Sequence, residues 1–355
     1  MTKEQLKRIL ASNLLLLSAR PREEDKIAEF YERETECGAN VLFAPDFRVF
    51  GAKRELLEQT VQAAGERAFT ACCIPSVSGG LTLFGGAHSY EEYYQRILEQ
   101  AKLCEAAGIS FLLLGGFTNL TEAKCAVLAA REACDLPLCV GLSFDESLHL
   151  ENGIDPSAAI ITLQALGVNA VGVLDGCNAD DALEALEQMK EFAAVPLFAL
   201  PKVSEFMTPY DFADYAVSFV NQKCAVLGTA NGTEGYSAAI SKVIWQAEPF
   251  PPDFPEVRAV TGLGGILFYD FQNHVIGENR RLAEIAIDKA EDAELLISRL
   301  VASQSPPVCF KSRDLDALER AVKLYPGRPA VKSDEYGEIA AKELGAIILQ
   351  EREES

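Results

Sequence analysis

Along roughly the first 250 residues, short continuous apolar runs alternate with longer stretches whose apolar residues recur three and four apart. The runs Leu14–Ser18, Asn40–Ala44, Ala68–Ile74, Ser110–Gly115, Leu138–Phe144, Ala170–Leu174, Pro196–Leu200 and Ala225–Thr229 predict eight strands. Between them, Arg22–Cys37, Tyr90–Ala107, Leu120–Cys134, Asp180–Ala193 and Pro209–Asn221 predict amphipathic helices. Two of these carry start signals: Asn119 and Thr121 ahead of Glu122, and Thr208 followed by Pro209, where a missing N–H costs nothing. Strands that are apolar throughout are buried on both faces, as in a parallel sheet covered by helices. Eight strand-helix units predict an α/β fold, a (β/α)8 TIM barrel followed by a small α/β C-terminal domain.

The break falls at Glu248-Pro-Phe-Pro-Pro-Asp-Phe-Pro-Glu256, four prolines in nine residues, which reads as a linker because proline cannot join a helix interior. The expected division is a barrel over 1–247, a linker over 248–257 and a small α/β unit over 258–355. In that last part His274–Gly277, Val308–Lys311, Ala330–Lys332 and Ala346–Leu349 predict strands, and Ala283–Ser303 and Asp314–Tyr325 predict helices. Gly262-Leu-Gly-Gly265 has no strand before it in this reading and is assigned to the connection between the two parts, not to a nucleotide loop.

Composition narrows the function. The 355 residues carry a formal net charge of -21, which excludes nucleic acid and anionic membrane surfaces as partners, since neither binds without a basic face. No apolar run reaches the ~18 residues of a membrane span, and residues 1–13 lack the apolar core of a signal peptide. Ten cysteines without a C-x-x-C pair, most of them inside apolar patterns, read as buried free thiols in a reducing cytoplasm. His88, His149 and His274 share no ligand or triad spacing.

Several separated segments resemble the homocysteine S-methyltransferases, the family that includes the first module of cobalamin-dependent methionine synthase. Ser143-Phe-Asp-Glu146, Gly153-Ile-Asp-Pro156 and Ala165-Leu-Gly-Val-Asn-Ala-Val-Gly172 follow one another at the family's spacing. The match resumes at Tyr210-Asp-Phe-Ala-Asp-Tyr-Ala216 and ends on Gly228-Thr229-Ala230-Asn231-Gly232-Thr233. The family reads Gly-Gly-Cys-Cys-Gly-Thr at that last segment and Asn-Cys-Gly where this chain has Leu174-Asp175-Gly176. The resemblance therefore implies three zinc thiolates, and Asp175, Ala230 and Asn231 stand in their places.

Other family positions depart with them. A glutamate after strand four is replaced by Gly115, the early Asp-Gly-Ala-Met-Gly-Thr loop corresponds to Ser18–Pro21, Thr-Asn-Thr-Phe has become Ala44-Pro-Asp-Phe47, and Pro-Asn-Ala-Gly has become Pro201-Lys-Val-Ser204. Beyond the linker, Val275-Ile-Gly-Glu-Asn279, Cys309-Phe-Lys-Ser312 and Tyr325-Pro-Gly-Arg-Pro329 are similar to the folate-binding module of methionine synthase, abbreviated and with Lys311 in place of an aspartate.

The expectation is a divergent, repurposed or non-catalytic member of the family with no resident zinc and no cofactor. A small-molecule ligand would sit at the barrel mouth among Arg20, Asp46, Asp145, Asp175, Cys177, Lys202, Thr229 and Asn231, and a methionine-synthase or corrinoid protein is the candidate partner. The alternative is an active S-methyltransferase that moves a methyl group from a folate, corrinoid or sulfonium donor to homocysteine or a related thiol without zinc. Two further options are a shifted metal site from Asp175, Cys177 and Cys73, and Schiff-base chemistry on Lys202.

Overall fold

The computed structural model describes the chain except residues 22, 24–25, 233–234, 245–246, 248, 250–256, 271–274, 277–281 and 350–355. The expected linker lies almost wholly outside the described residues, as do His274 and Gly277.

All eight predicted runs form strands: β1 (Leu15–Leu16), β2 (Val41–Phe43), β3 (Phe69–Pro75), β4 (Phe111–Phe117), β5 (Leu138–Leu142), β6 (Ala170–Leu174), β7 (Leu197–Leu200) and β8 (Cys224–Leu227). They form one parallel sheet in the order β1-β8-β7-β6-β5-β4-β3-β2, and a parallel bridge between Leu17 and Val41 joins its two edges into a barrel. The surrounding helices are α1 (Lys3–Ser12), α2 (Ile27–Glu36), α3 (Phe47–Phe50), α4 (Arg54–Ala64), α5 (Tyr90–Ala106), α6 (Leu120–Ala133), α7 (Pro156–Gln164), α8 (Ala179–Lys190), α9 (Pro209–Asn221) and α10 (Tyr236–Ile244). Their starts are fixed by side chains that accept orphan N–H groups: Ser89 and Thr208 form capping boxes, and Asn119, Asp155 and Asn178 cap α6, α7 and α8.

Strand alternation sorts the apolar residues into two layers. In β3, Ala71 and Cys73 point into the barrel while Cys72 and Ile74 meet the helices. Phe43, Phe111, Leu174, Phe198 and Leu200 fill the interior. Helix α1 closes the bottom with Leu6 and Leu10, each worth about 1.5–3 kcal/mol of burial. The charged residues that give segment 1–13 its polar look are the outer face of this helix, which begins with a capping box between Thr2 and Gln5.

Past the barrel, β9 (Ala259–Gly262), β10 (Gly265–Asp270) and β11 (Val275–Ile276) form an antiparallel sheet. This corrects the reading of Gly262–Gly265: a strand does precede it, and Leu263-Gly264 is the turn of a hairpin whose Gly265 has φ +103°. Four parallel strands follow in sequential order, β12 (Ala283–Ala286), β13 (Val308–Lys311), β14 (Ala330–Lys332) and β15 (Ile347–Leu349), with helices α11 (Ala293–Ala302), α12 (Leu315–Leu324) and α13 (Glu335–Leu344). The single helix expected over Ala283–Ser303 is thus corrected to a strand, a turn and a helix. Residues Ala283 to Ala286 alternate between half-buried and exposed because β12 is an edge strand.

The C-terminal sheet is locked to the barrel through α6. Pro326 follows α12 and has no N–H to give the Val322 carbonyl four residues back. Lys124 supplies the donor instead: its buried Nζ donates to the carbonyls of Val322 (2.8 Å), Tyr325 (2.7 Å) and Gly327 (2.9 Å). Burial pushes this amine down, to about 7, while three acceptors matched to three N–H donors at a helix C-terminus oppose that shift. Thr121 Oγ1 donates to Leu324 O (3.1 Å) and Arg131 Nη1 to Glu343 O (3.4 Å), so one barrel helix serves the last turns of both α12 and α13. The hydroxyls of Thr162 on α7 and Thr261 on β9 meet at 2.7 Å. Among the described residues, no helix is long and apolar enough to cross a membrane.

Candidate ligand site at the barrel mouth

The loops at the carboxyl ends of β1, β2 and β6 bring four charges together. Asp46 caps α3 through its Oδ1, which accepts the Arg48 N–H (2.8 Å), and its Oδ2 takes Nη1 of Arg20 and Nη2 of Arg48 (2.8 Å for the latter). The Arg20 guanidinium lies 4.0 Å from the centroid of the Phe43 ring, its side chain is only 11% exposed, and its buried Nε–H meets no oxygen or nitrogen acceptor, with the Cys73 thiol close by. Burial raises the Asp46 carboxyl, and hydrogen bonds from Arg48 with the charge of Arg20 outweigh it, leaving the group below the usual carboxylate range.

Arg48 also reaches Asp175 after β6, Nη1 to Oδ2 at 3.2 Å. Strands β2 and β6 stand four places apart either way around the eight-stranded ring, so this ion pair spans the mouth. Asp175 itself adopts φ +62°, in the left-handed region that Asp tolerates at modest cost. Its N–H is held by Leu200 O (3.1 Å), its carbonyl accepts from Cys177 N (2.6 Å), and its Oδ1 accepts from Gly176 N (3.1 Å). Gly176 is required there, since a Cβ would lie 1.6 Å from Ser143 Oγ.

The remaining sequence candidates serve the loops. Asn231 is stitched to Val203, accepting its N–H (2.8 Å) and donating to its carbonyl (3.0 Å), while Thr229 Oγ1 accepts from Gly232 N (3.0 Å). Ala230 donates its N–H to Pro201 O (3.1 Å). Asp145 folds its own turn by accepting from Ser147 N, Ser147 Oγ and His149 N, and is exposed. Lys202 is exposed, with its backbone N–H on Cys177 O (3.0 Å). His88 and His149 each bond a backbone carbonyl.

Cys177, a candidate at the mouth, is instead buried: its Sγ exchanges hydrogen bonds with Phe144 N and O at 3.3 Å, and burial pushes the thiol up to about 11. Cys73 belongs to the barrel interior and Cys177 to the helix layer, so the shifted set is not assembled; among the described residues no three His, Cys, Asp or Glu side chains converge to hold an ion. The ten cysteines are all free thiols, nine of them buried. Arg48 is the site residue that the sequence reading passed over, and its signal was weak: one more arginine in the first turn after β2.

Beneath the charged layer the barrel is filled. Leu174 occupies the space over Gly115 and Gly141, where an added Cβ would come within 1.9 Å of Leu174 Cδ2 and 2.3 Å of Leu174 Cβ respectively. A side chain at position 115 requires Leu174 to move aside.

Solved structures share this barrel. The metallated form of the homocysteine methyltransferase MmuM from Escherichia coli matches with a TM-score of 0.55 at 15% identity, over 67% of this chain and 99% of that chain. Its apo form matches with a TM-score of 0.54 at 15% identity, over 65% and 96%. The carboxyl transferase domain of Rhizobium etli pyruvate carboxylase gives 0.50 at 11% identity, over 72% of this chain and 47% of that chain. At such identities these likenesses show the fold. No curated protein sequence matches the chain. The family model described as Homocysteine S-methyltransferase matches residues 5–239, well over half of the sequence, and the chain belongs to that family.

Proposed function

We propose that this barrel has lost zinc-dependent methyl transfer to homocysteine and keeps its mouth as a binding site for a small polar molecule. The observation that carries the reading is the state of the three positions where the family resemblance implies thiolates. Asp175 is paired with Arg48, Asn231 has its amide oxygen and nitrogen engaged by Val203, and Ala230 offers a methyl group. Zinc that must polarise a thiol is held by soft thiolates on rigid strand ends, and one carboxylate with a guanidinium on it does not fit that role. The filling of the space at Gly115 by Leu174 supports the same reading, because the glutamate of the family would enter there only if Leu174 moved.

The test is twofold. Protein purified without chelators is analysed for metal, and homocysteine consumption is followed with folate, methyl-corrinoid and sulfonium donors. Substoichiometric zinc and no methyl transfer with any donor are expected. One equivalent of zinc per chain, or methylation by any donor, refutes the proposal, and methylation without zinc would establish an active enzyme of a different design.

A further inference from the structure

We infer that the mouth is a gated site for a small carboxylate, with the Arg48–Asp175 ion pair as the gate. The inference rests on the proposed use of the mouth for binding and names the ligand class.

Three observations converge. First, the two guanidiniums of Arg20 and Arg48 are gathered on one oxygen, Oδ2 of Asp46. Guanidinium forks match a planar carboxylate in geometry and charge. Second, Arg20 is nearly buried at the mouth, and its Nε–H meets no oxygen or nitrogen acceptor, with only the Cys73 thiol close to the guanidinium, although buried donors are almost always satisfied by protein, water or ligand. Third, the carboxylate that crosses the mouth to Arg48 is the exchangeable one. Asp46 is 13% exposed and bound to both arginines, whereas Asp175 is 31% exposed and touches Arg48 through a single 3.2 Å contact.

The charge balance gives the ligand's sign. Closed, the cluster holds two cations and two anions. When Asp175 swings away, Arg20, Arg48 and Asp46 keep one excess positive charge, which a monoanion neutralises and a cation does not. The ligand carboxylate then takes one oxygen to Arg48 where Asp175 was and turns the other toward the Arg20 guanidinium. Beneath it Leu174 and Phe43 offer an apolar floor, so the acid's tail is short or points toward solvent. Releasing Asp175 is cheap: a half-exposed pair of this kind shifts an equilibrium by no more than about five-fold.

The experiment is a titration of the full chain with carboxyl-labelled acetate, followed by NMR at pH 7 and fixed ionic strength, with inorganic phosphate and tetramethylammonium as comparison probes. Saturable acetate binding is expected. Arg48→Gln should weaken it at least about ten-fold, the loss of one charged fork. Asp175→Asn should tighten it about two- to five-fold by removing the internal competitor, a gain that a merely structural carboxylate would not give. Absence of saturable binding, indifference to Arg48→Gln, weaker binding by Asp175→Asn, or tighter binding of phosphate or tetramethylammonium than of acetate overturns the inference. Zinc content and methyl transfer are measured separately, so a failure here leaves the loss of zinc chemistry standing, and a failure there leaves the gate intact.

Discussion

Replacing Lys124 by Met removes three N–H donors and leaves the aliphatic stem in place, so it probes the joint between the barrel and the C-terminal sheet with little change in volume. The carbonyls of Val322, Tyr325 and Gly327 lose the Nζ donor they share inside a buried interface, and Val322 O has no helical donor to return to because residue 326 is proline. An abandoned buried acceptor costs about 1–3 kcal/mol. Because Tyr325 O also receives the Gly327 N–H (2.9 Å), the three do not add fully. A net loss of about 3–5 kcal/mol follows, below the full sum for three orphaned acceptors. With an unfolding entropy of about 2.1 cal/mol/K per residue over a chain of this size, that corresponds to a fall in Tm of about 4–7 °C. Calorimetry on the two proteins gives the shift, and hydrogen exchange locates it in α12 and the turn after it. Lys102→Met on the exposed face of α5 serves as the control and should stay within about 0.5 kcal/mol. A Lys124→Met protein that melts within about 1 °C of the parent, with unchanged exchange in α12, would refute the assigned role of the amine.

Three further outcomes are expected. Asp46 has its carboxyl below the usual range despite burial, through Arg48 and Arg20, so its contribution is complete above the unfolded value near 3.8 and fades as pH falls through the lower folded one. Urea titrations of the parent and Asp46→Asn should therefore differ at pH 6 and converge toward pH 2, and a constant gap across that range contradicts the linkage. Cys177→Ala should destabilise by about 1–2 kcal/mol by orphaning the buried Phe144 N–H, with Cys177→Ser largely restoring it; equal effects of the two would mean that packing alone matters. Ellman's reagent should find only Cys37 readily in the native protein and all ten thiols after unfolding, since the other nine are buried; rapid native reaction of several would contradict their burial.

The strands were legible because a strand covered on both faces has no choice but to be apolar throughout, and the runs ending at Phe144, Leu174 and Leu200 could belong to little else. Pro209 and Asn119 marked helix starts for the same local reason. What escaped was decided by context. Ala283 to Ala286 is composed of residues that serve a helix equally well, and only pairing with β13 at a sheet edge makes them a strand. The charged stretch ahead of β1 hid a helix whose two leucines matter only because the barrel floor is open to them. In the site, the carboxylates at 46 and 175 were visible as candidates, yet their connection was not: it depends on closure of the ring, which sets the ends of β2 and β6 face to face, and on an arginine with nothing in its neighbourhood to single it out. The crowding of Leu174 against Gly115 is equally a fact of three dimensions.

The service that α6 gives to two foreign helix ends makes it the joint on which both parts depend. A barrel freed of everything after residue 247 keeps its own ladder but returns Lys124, Thr121, Arg131 and Thr162 to water, together with the apolar residues of α6 that share a core with α12. The appended sheet, taken alone, would have to end two helices with nobody to answer their last carbonyls. The chain's second part is a tenant whose last helical turns are completed by its landlord.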